Sequence, residues 1–215
     1  MARIPIKDIR RLELEKAAYD AINAYGFTGL ALEKVAQQAG TVKGTIHHYF
    51  QNKEDLMESA ARHANREFSQ IALERIKAAK SSSERLWSIV ALNLSPQFFE
   101  PFLTRAYVVI LANGIRYKGV LRIYDATHAR SVSNLAFALR SLAKREDVKP
   151  IANTIWTMIE GAWLLQATTR NDNIAGATLA QLADYLSRAV PSFDSSVIGA
   201  LDHFPEGSSP SNNRT

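Results

Sequence analysis

Residues 40–56 read GTVKGTIHHYFQNKEDL. Two glycines bracket a short helical segment, two histidines stand side by side, two aromatics follow, and Lys-Glu-Asp opens another helix. Adjacent histidines project about 100° apart on a helix, so His47 and His48 cannot chelate a metal together as an i, i+4 pair does. A phosphate loop needs more glycines, a following Lys-Ser or Lys-Thr, and a strand before it. A helix-turn-helix accounts for the whole mixture: an apolar-striped first helix, a glycine turn, and a short second helix whose outer face fits a DNA major groove. Leu32, Val35, Ala36 and Ala39 supply the stripe, Gly40 the turn, and Val42 to Tyr49 the second helix. Ile46 and Phe50, at i and i+4, are expected to point inward, leaving Lys43, Gly44, Thr45, His47 and His48 outside.

Upstream, Leu14, Ala18, Ala21, Ile22 and Tyr25 recur at helical spacing and predict a helix over 8–25 that Gly26 ends. From Lys53 a longer helix runs toward Lys80, and SSSE at 81–84 marks a new helix start with serine as cap. Further apolar helical segments fall near 84–94, 97–114, 117–145, 147–170 and 174–190, with Pro96, Gly114, Pro150 and Asn171-Asp172-Asn173 as joints. No alternating strand pattern persists, so the fold class is all-α. The expected division is a DNA-binding domain over 1–55, a helical-bundle domain over 56–190, and a flexible Ser-, Pro- and Asn-rich tail over 191–215.

Composition narrows the function classes. The 215 residues are 47% hydrophobic and 22% charged, with no cysteine, so neither disulfides nor thiolate metal sites enter. The opening MARIPIKDIRRLELEK is charged rather than apolar, and the most apolar run, AYVVILANGI at 106–115, is too short to span a bilayer. The expectation is a cytoplasmic protein with no membrane partner. Residues 1–53 hold eight basic and five acidic side chains, a local +3 out of a net +5, which favours a polyanion at that end. No G-x-S-x-G elbow, tell-tale carboxylate pair or cysteine nucleophile is present, so the expectation is no enzyme, no cofactor and no metal.

On Gly40, Gly44, Tyr49, Phe50, Lys53 and Leu56, in that order and spacing, the stretch resembles the helix-turn-helix of TetR-type transcriptional regulators. The resemblance extends upstream through Ile9–Tyr25 and Gly26-Phe27. Three departures stand out: Thr41-Val42 replaces the usual Val-Ser, Ala31 stands where a Ser or Thr commonly caps a helix, and His47 replaces a tyrosine. His47-His48-Tyr49-Phe50, Ile9-Arg10-Arg11, Ser133-Asn134-Leu135 and Ile159–Leu164 resemble more narrowly the BetI branch, repressors that answer to choline. The resemblance implies a homodimer on a near-palindromic operator, released by a small-molecule effector, with a larger C-terminal domain for dimerisation and ligand binding.

Chemistry assigns the candidates. Lys43 can reach a guanine or phosphate oxygen, Thr45 a thymine methyl or phosphate, and Gly44 lets backbone approach the duplex. Thr41, Val42, His47 and His48 complete the reading face. Tyr49 and Lys53, beside a helix N-terminus, suit a phosphate, as do Arg3 and Lys7. For an effector, Trp87, Phe98, Phe102, Tyr107, Tyr124, Trp156 and Trp163 concentrate aromatic faces that attract quaternary ammonium groups. For the dimer, Ile159, Leu164, Leu179, Leu182 and Leu186 lie on the last two apolar helices, which suit a four-helix interface. A helical protein–protein adaptor and an all-α enzyme remain as alternatives; a steep salt dependence of binding to duplex DNA separates a regulator from both.

Overall fold

The computed structural model describes residues 6–29, 31–112, 117–169, 171 and 173–200. Among these, helical periodicity is realised throughout and no strand occurs. The helices are α1 (Ile6–Gly29), α2 (Leu32–Gln38), α3 (Lys43–Tyr49), α4 (Lys53–Ala78), α5 (Ser82–Asn93), α6 (Pro101–Ala112), α7 (Lys118–Leu139), α8 (Arg145–Thr168), α9 (Ile174–Ala189) and the short α10 (Val197–Ala200).

The N-terminal unit is α1 to α3 packed on the start of α4. Leu14, Ala18, Ala21 and Ile22 of α1 close on Val35, Ile46, Phe50, Leu56 and Met57 in one apolar cluster. Gly26 interrupts α1 with φ +86°, a conformation that costs glycine little and other residues much. The N-terminal core also takes in Ala106, Tyr117 and Val120, so α6 and α7 form its floor.

The larger cluster is built around α5, whose Leu86, Trp87, Val90 and Ala91 are buried against α7, α8 and α9 residues such as Leu135, Ile155 and Leu182. The start of α5 is the one expected from SSSE: Ser81 Oγ accepts the Glu84 amide at 3.0 Å. The long α4 is capped by Asn52 and carries Glu54 and Asp55 in its first turn with Arg75 and Lys77 in its last, the charge order its dipole favours. Because α4 packs on α1 at its beginning and on α5 and α7 further along, it is the rod shared by both units.

Several sequence expectations need correction. The helix expected from 97 starts only at Pro101, because the Phe98 and Phe99 amides both turn back to the Ser95 carbonyl, at 3.0 and 2.8 Å; proline is well suited to a first helical position. The segment expected to run to 145 stops at Leu139, whose carbonyl accepts from both Leu142 and Ala143 at 2.9 Å. Pro150 is no joint: it lies inside α8, which starts at Arg145. The stretch from Pro191, expected as a flexible tail, docks as far as the description reaches: Phe193 and Val197 are buried in the main core and the Asp194 amide bonds Ser83 Oγ at 3.0 Å. Gly114 and residues 201–215 lie outside the described residues.

Candidate functional site

The turn between α2 and α3 is a Schellman closure. Gly40 takes φ +59°, its amide bonds the Gln37 carbonyl at 3.2 Å, and the Thr41 amide bonds the Ala36 carbonyl at 2.9 Å. This stops α2 and redirects the chain into α3, which Ile46 and Phe50, both fully buried, pin from below. Val42, Lys43, Gly44, His47 and His48 are exposed, while Thr41, Thr45 and Tyr49 are half-buried. Gly44 has open space where a Cβ would stand, so nothing inside the molecule requires glycine there.

Electrostatics qualify two of these groups. Lys43 Nζ lies 2.5 Å from Glu33 Oε1 on α2, and that ammonium holds the Glu33 carboxyl below the usual carboxylate range. Both side chains are exposed, so the pair is weak and a phosphate can compete for the lysine. At the start of α4 the Asp55 amide donates to Asn52 Oδ1 at 2.8 Å and the Gln51 amide to Asp55 Oδ2 at 3.2 Å. These two amides at the start of α4 are occupied within the chain. Val42 and Ala31 are the N-caps of α3 and α2, and neither offers a side-chain cap. Thr41, in the cap neighbourhood, does not fill that role. Arg3 lies outside the described residues, and Lys7 falls in the first turn of α1 with its side chain outside the description.

The second site is a cavity of about 250 Å³ between α1, α4, the end of α5, α6, α7 and α8. Of the aromatic residues singled out in the sequence, Phe98, Tyr107, Tyr124, Trp156 and Trp163 line it. Trp87 does not: it is fully buried in the core of the C-terminal unit. Phe102 packs instead against the N-terminal cluster, its ring 3.7 Å from where a Cβ of Gly26 would be.

The cavity has a polar pole. Tyr107 donates to Tyr124 at 3.1 Å, Tyr124 donates to the Glu160 carboxylate, and Tyr107 Oη lies 3.5 Å from the same oxygen. His128 Nδ1 is 3.9 Å from it. Burial and then the hydrogen bond to Glu160 raise the Tyr124 phenol far above its ordinary range, and burial raises Tyr107 as well, so both remain hydrogen-bond donors. The rings interlock: Tyr107 meets Trp163 edge-on at 5.5 Å between centroids, and His128 stacks on Trp156 at 5.3 Å. Trp163 Nε1 is anchored on the Asn93 carbonyl at 3.1 Å, whereas the buried Trp156 Nε1 has no hydrogen-bond partner among the described residues. One carboxylate among electron-rich ring faces is the chemistry of an organic-cation site.

A family model for bacterial regulatory proteins of the tetR family matches residues 15–60, and one for the C-terminal region of BetI-type transcriptional repressors matches 82–191. The chain belongs to the TetR family of regulators, in its BetI-type branch. It is 29% identical over 187 residues to the transcriptional regulator BetI of Brucella canis, covering 87% of this chain and 94% of that one. The BetI regulator of Klebsiella pneumoniae is 28% identical over 169 residues, covering 78% and 87%. Among solved structures, a transcriptional regulator from Saccharomonospora viridis in complex with choline superposes with TM-score 0.74 at 18% identity, covering 86% of this chain and 98% of that one. A TetR regulator from Haloarcula marismortui gives 0.76 at 15%, covering 85% and 99%. The protein is a DNA-binding transcriptional regulator with a ligand-binding C-terminal domain.

In this TetR-family chain the expected dimer residues divide. Ile159, Leu182 and Leu186 are buried in their own core, and Ile159 also lines the cavity, so these three are corrected to intrachain packing. Leu164 is 51% exposed, as is its neighbour Leu165, and Leu179 is half-buried. The outward face of α8 therefore runs through Thr157, Gly161, Leu164, Leu165 and Thr168, beside exposed Ala177 and Ala180 of α9.

Sequence pattern did not mark Glu160 and His128 as members of a site. The signal was present: Trp156, Ile159, Glu160 and Trp163 share one face of α8, and a lone acid inside an aromatic stripe is not ordinary core. Tyr19 and Ile22 of α1 and Asn65 and Phe68 of α4 also line the cavity, and no local pattern sets them apart. Among the described residues no cluster of three potential metal ligands occurs, and no helix is long and apolar enough to cross a membrane.

Proposed function

We propose that this regulator is a homodimeric repressor that leaves a palindromic operator when a small quaternary-ammonium effector of the choline type binds beside Glu160. The observation that carries the effector is the pole of the cavity: a single carboxylate, fixed by the Tyr124 hydroxyl and backed by Tyr107, Trp156 and Trp163. A trimethylammonium head cannot donate hydrogen bonds, so it is held by charge and by aromatic faces together. The choline bound to the Saccharomonospora viridis relative and the BetI identity of the curated relatives support the same ligand class.

For DNA, the reading face is Val42, Lys43, Gly44, Thr45, His47 and His48, with Thr41 at its edge. Tyr49 and Lys53 contact phosphate, and Arg3 and Lys7 extend the same contact at the N-terminus. Val42, 70% exposed on a helix end, is apolar enough to meet a thymine methyl. The exposed Leu164–Leu165 face supports pairing with a second subunit, which would set two α3 helices about 34–36 Å apart, one turn of duplex. The DNA-binding unit ends near residue 55 and the effector unit lies beyond it, with α4 as the shared element.

The test is calorimetric titration of choline and tetramethylammonium into wild-type protein and Glu160→Gln. Loss of the charge attraction at about 4 Å corresponds to about 1–4 kcal/mol between the water and near-surface limits, so affinity falls by roughly 5- to 800-fold. Equal affinity in both proteins refutes the placement of the cation.

A further inference from the structure

We propose that the effector is longer than choline: a cation carrying an apolar arm of about six to eight carbons that reaches the DNA-binding unit. The inference rests on the cation reading of Glu160 and adds the shape of the rest of the cavity. At about 250 Å³ it exceeds the roughly 150 Å³ of a cavity that accepts a benzene-sized molecule. Choline, with a two-carbon arm, is comparable in size to that smaller guest.

Part of the lining extends from Glu160 toward the DNA-binding unit. On α7 the wall runs from His128, beside Glu160, to Val120, eight residues, or about 12 Å of helix. Val120 belongs to the N-terminal cluster together with Ile22, Met57 and Ala60, which line the same end of the cavity. Between the two ends the Thr127 hydroxyl has two acceptors within reach, Asn65 Oδ1 and the Ile123 carbonyl one turn back on α7, each at 2.8 Å. The far end offers no charged group and a set of alanines, Ala60, Ala61 and Ala64, whose small side chains leave the room. A head at Glu160 with a hydrocarbon arm matches this sequence of surfaces, and the end of the arm touches Tyr19 and Ile22 of α1. Such an arm wedges directly between α1 and α4, the contact that fixes the reading unit on the rod.

The experiment titrates n-alkyltrimethylammonium salts from ethyl to octyl, with choline alongside, into the full chain by calorimetry. Affinity is expected to rise about four-fold per added methylene until the arm fills the cavity near hexyl to octyl. In Glu160→Gln the whole series weakens, and in Ala61→Leu, which fills the far end, the octyl-to-choline affinity ratio falls at least ten-fold. If choline binds in a Glu160-dependent way and longer arms bind no better or worse, this proposal fails and the cation reading stands. If no member of the series depends on Glu160, both fail. A rise with chain length that is insensitive to both substitutions shows unspecific adsorption and also overturns the proposal.

Discussion

The two functional regions are built in opposite ways. The proposed DNA-reading face is the exposed side of one short segment, Val42 to His48, held by the Gly40 turn and by buried Ile46 and Phe50, all within about twenty positions of sequence. The cavity draws its wall from Tyr19 to Trp163, on six helices that approach only in the folded chain. In the first region, residue type and spacing state the chemistry outright. In the second, an aromatic residue has the same helical spacing whether it faces a ligand or the core, and tertiary packing alone decides. Trp87 and Trp163 show the point: both lie on apolar helical stripes, yet the first is fully buried in α5 and the second faces the cavity.

The largest effect expected from breaking the local region is Phe50→Ala. The ring is fully buried beneath α3, so its removal should cost about 3–5 kcal/mol in urea denaturation, with loss of duplex binding at ambient temperature. A loss under 1 kcal/mol would mean α3 is not anchored as described.

Next come the surface contacts. Lys53→Ala is expected to weaken binding to specific and random duplex alike and to lower the salt slope by about one. Thr45→Ala should instead relax base preference by about 1–3 kcal/mol at one position per half-site. Competition gel shifts at several salt concentrations separate the two, and equal behaviour of both variants would misplace the reading face.

The fold was almost fully legible in the sequence because amphipathic helices announce themselves at 3.6-residue spacing and caps and glycines mark their ends. Ile46 and Phe50 point inward as their spacing requires, and Ser81 caps α5 as SSSE implies. What escaped was long-range. Leu182 and Leu186 read equally well as interface or core, and the structure places them in the core. Glu160 looked isolated until folding brought Tyr107, Tyr124 and His128 to it from α6 and α7.

Two smaller effects sharpen the contrast. Ala31 occupies the N-cap of α2 with φ −134° and ψ 153°, the extended geometry a capping serine uses. Ala31→Ser is therefore expected to stabilise the DNA-binding unit by about 0.5–1 kcal/mol, seen as a higher urea midpoint at unchanged slope. His63 on α4, its ring 5.5 Å from that of Tyr19, has its pKa lowered from the ordinary 6.5, chiefly by burial. The unfolded chain then takes up the proton first on acidification. The stability His63 contributes is complete above about pH 6.5 and declines as pH falls through the lower folded-state value. Thermal melts from pH 7.5 to 5 should drop less steeply for His63→Gln than for wild type.

The central claim joins the two regions: occupancy at Glu160 weakens the grip of α3 on DNA. Operator affinity measured by fluorescence anisotropy with and without saturating quaternary-ammonium ligand tests it directly, using wild type and Glu160→Gln. The account predicts a fall of about 5- to 150-fold for wild type, the range of ordinary allosteric coupling, and little change for the variant. Ligand that binds beside Glu160 yet leaves operator affinity untouched in wild type would contradict it.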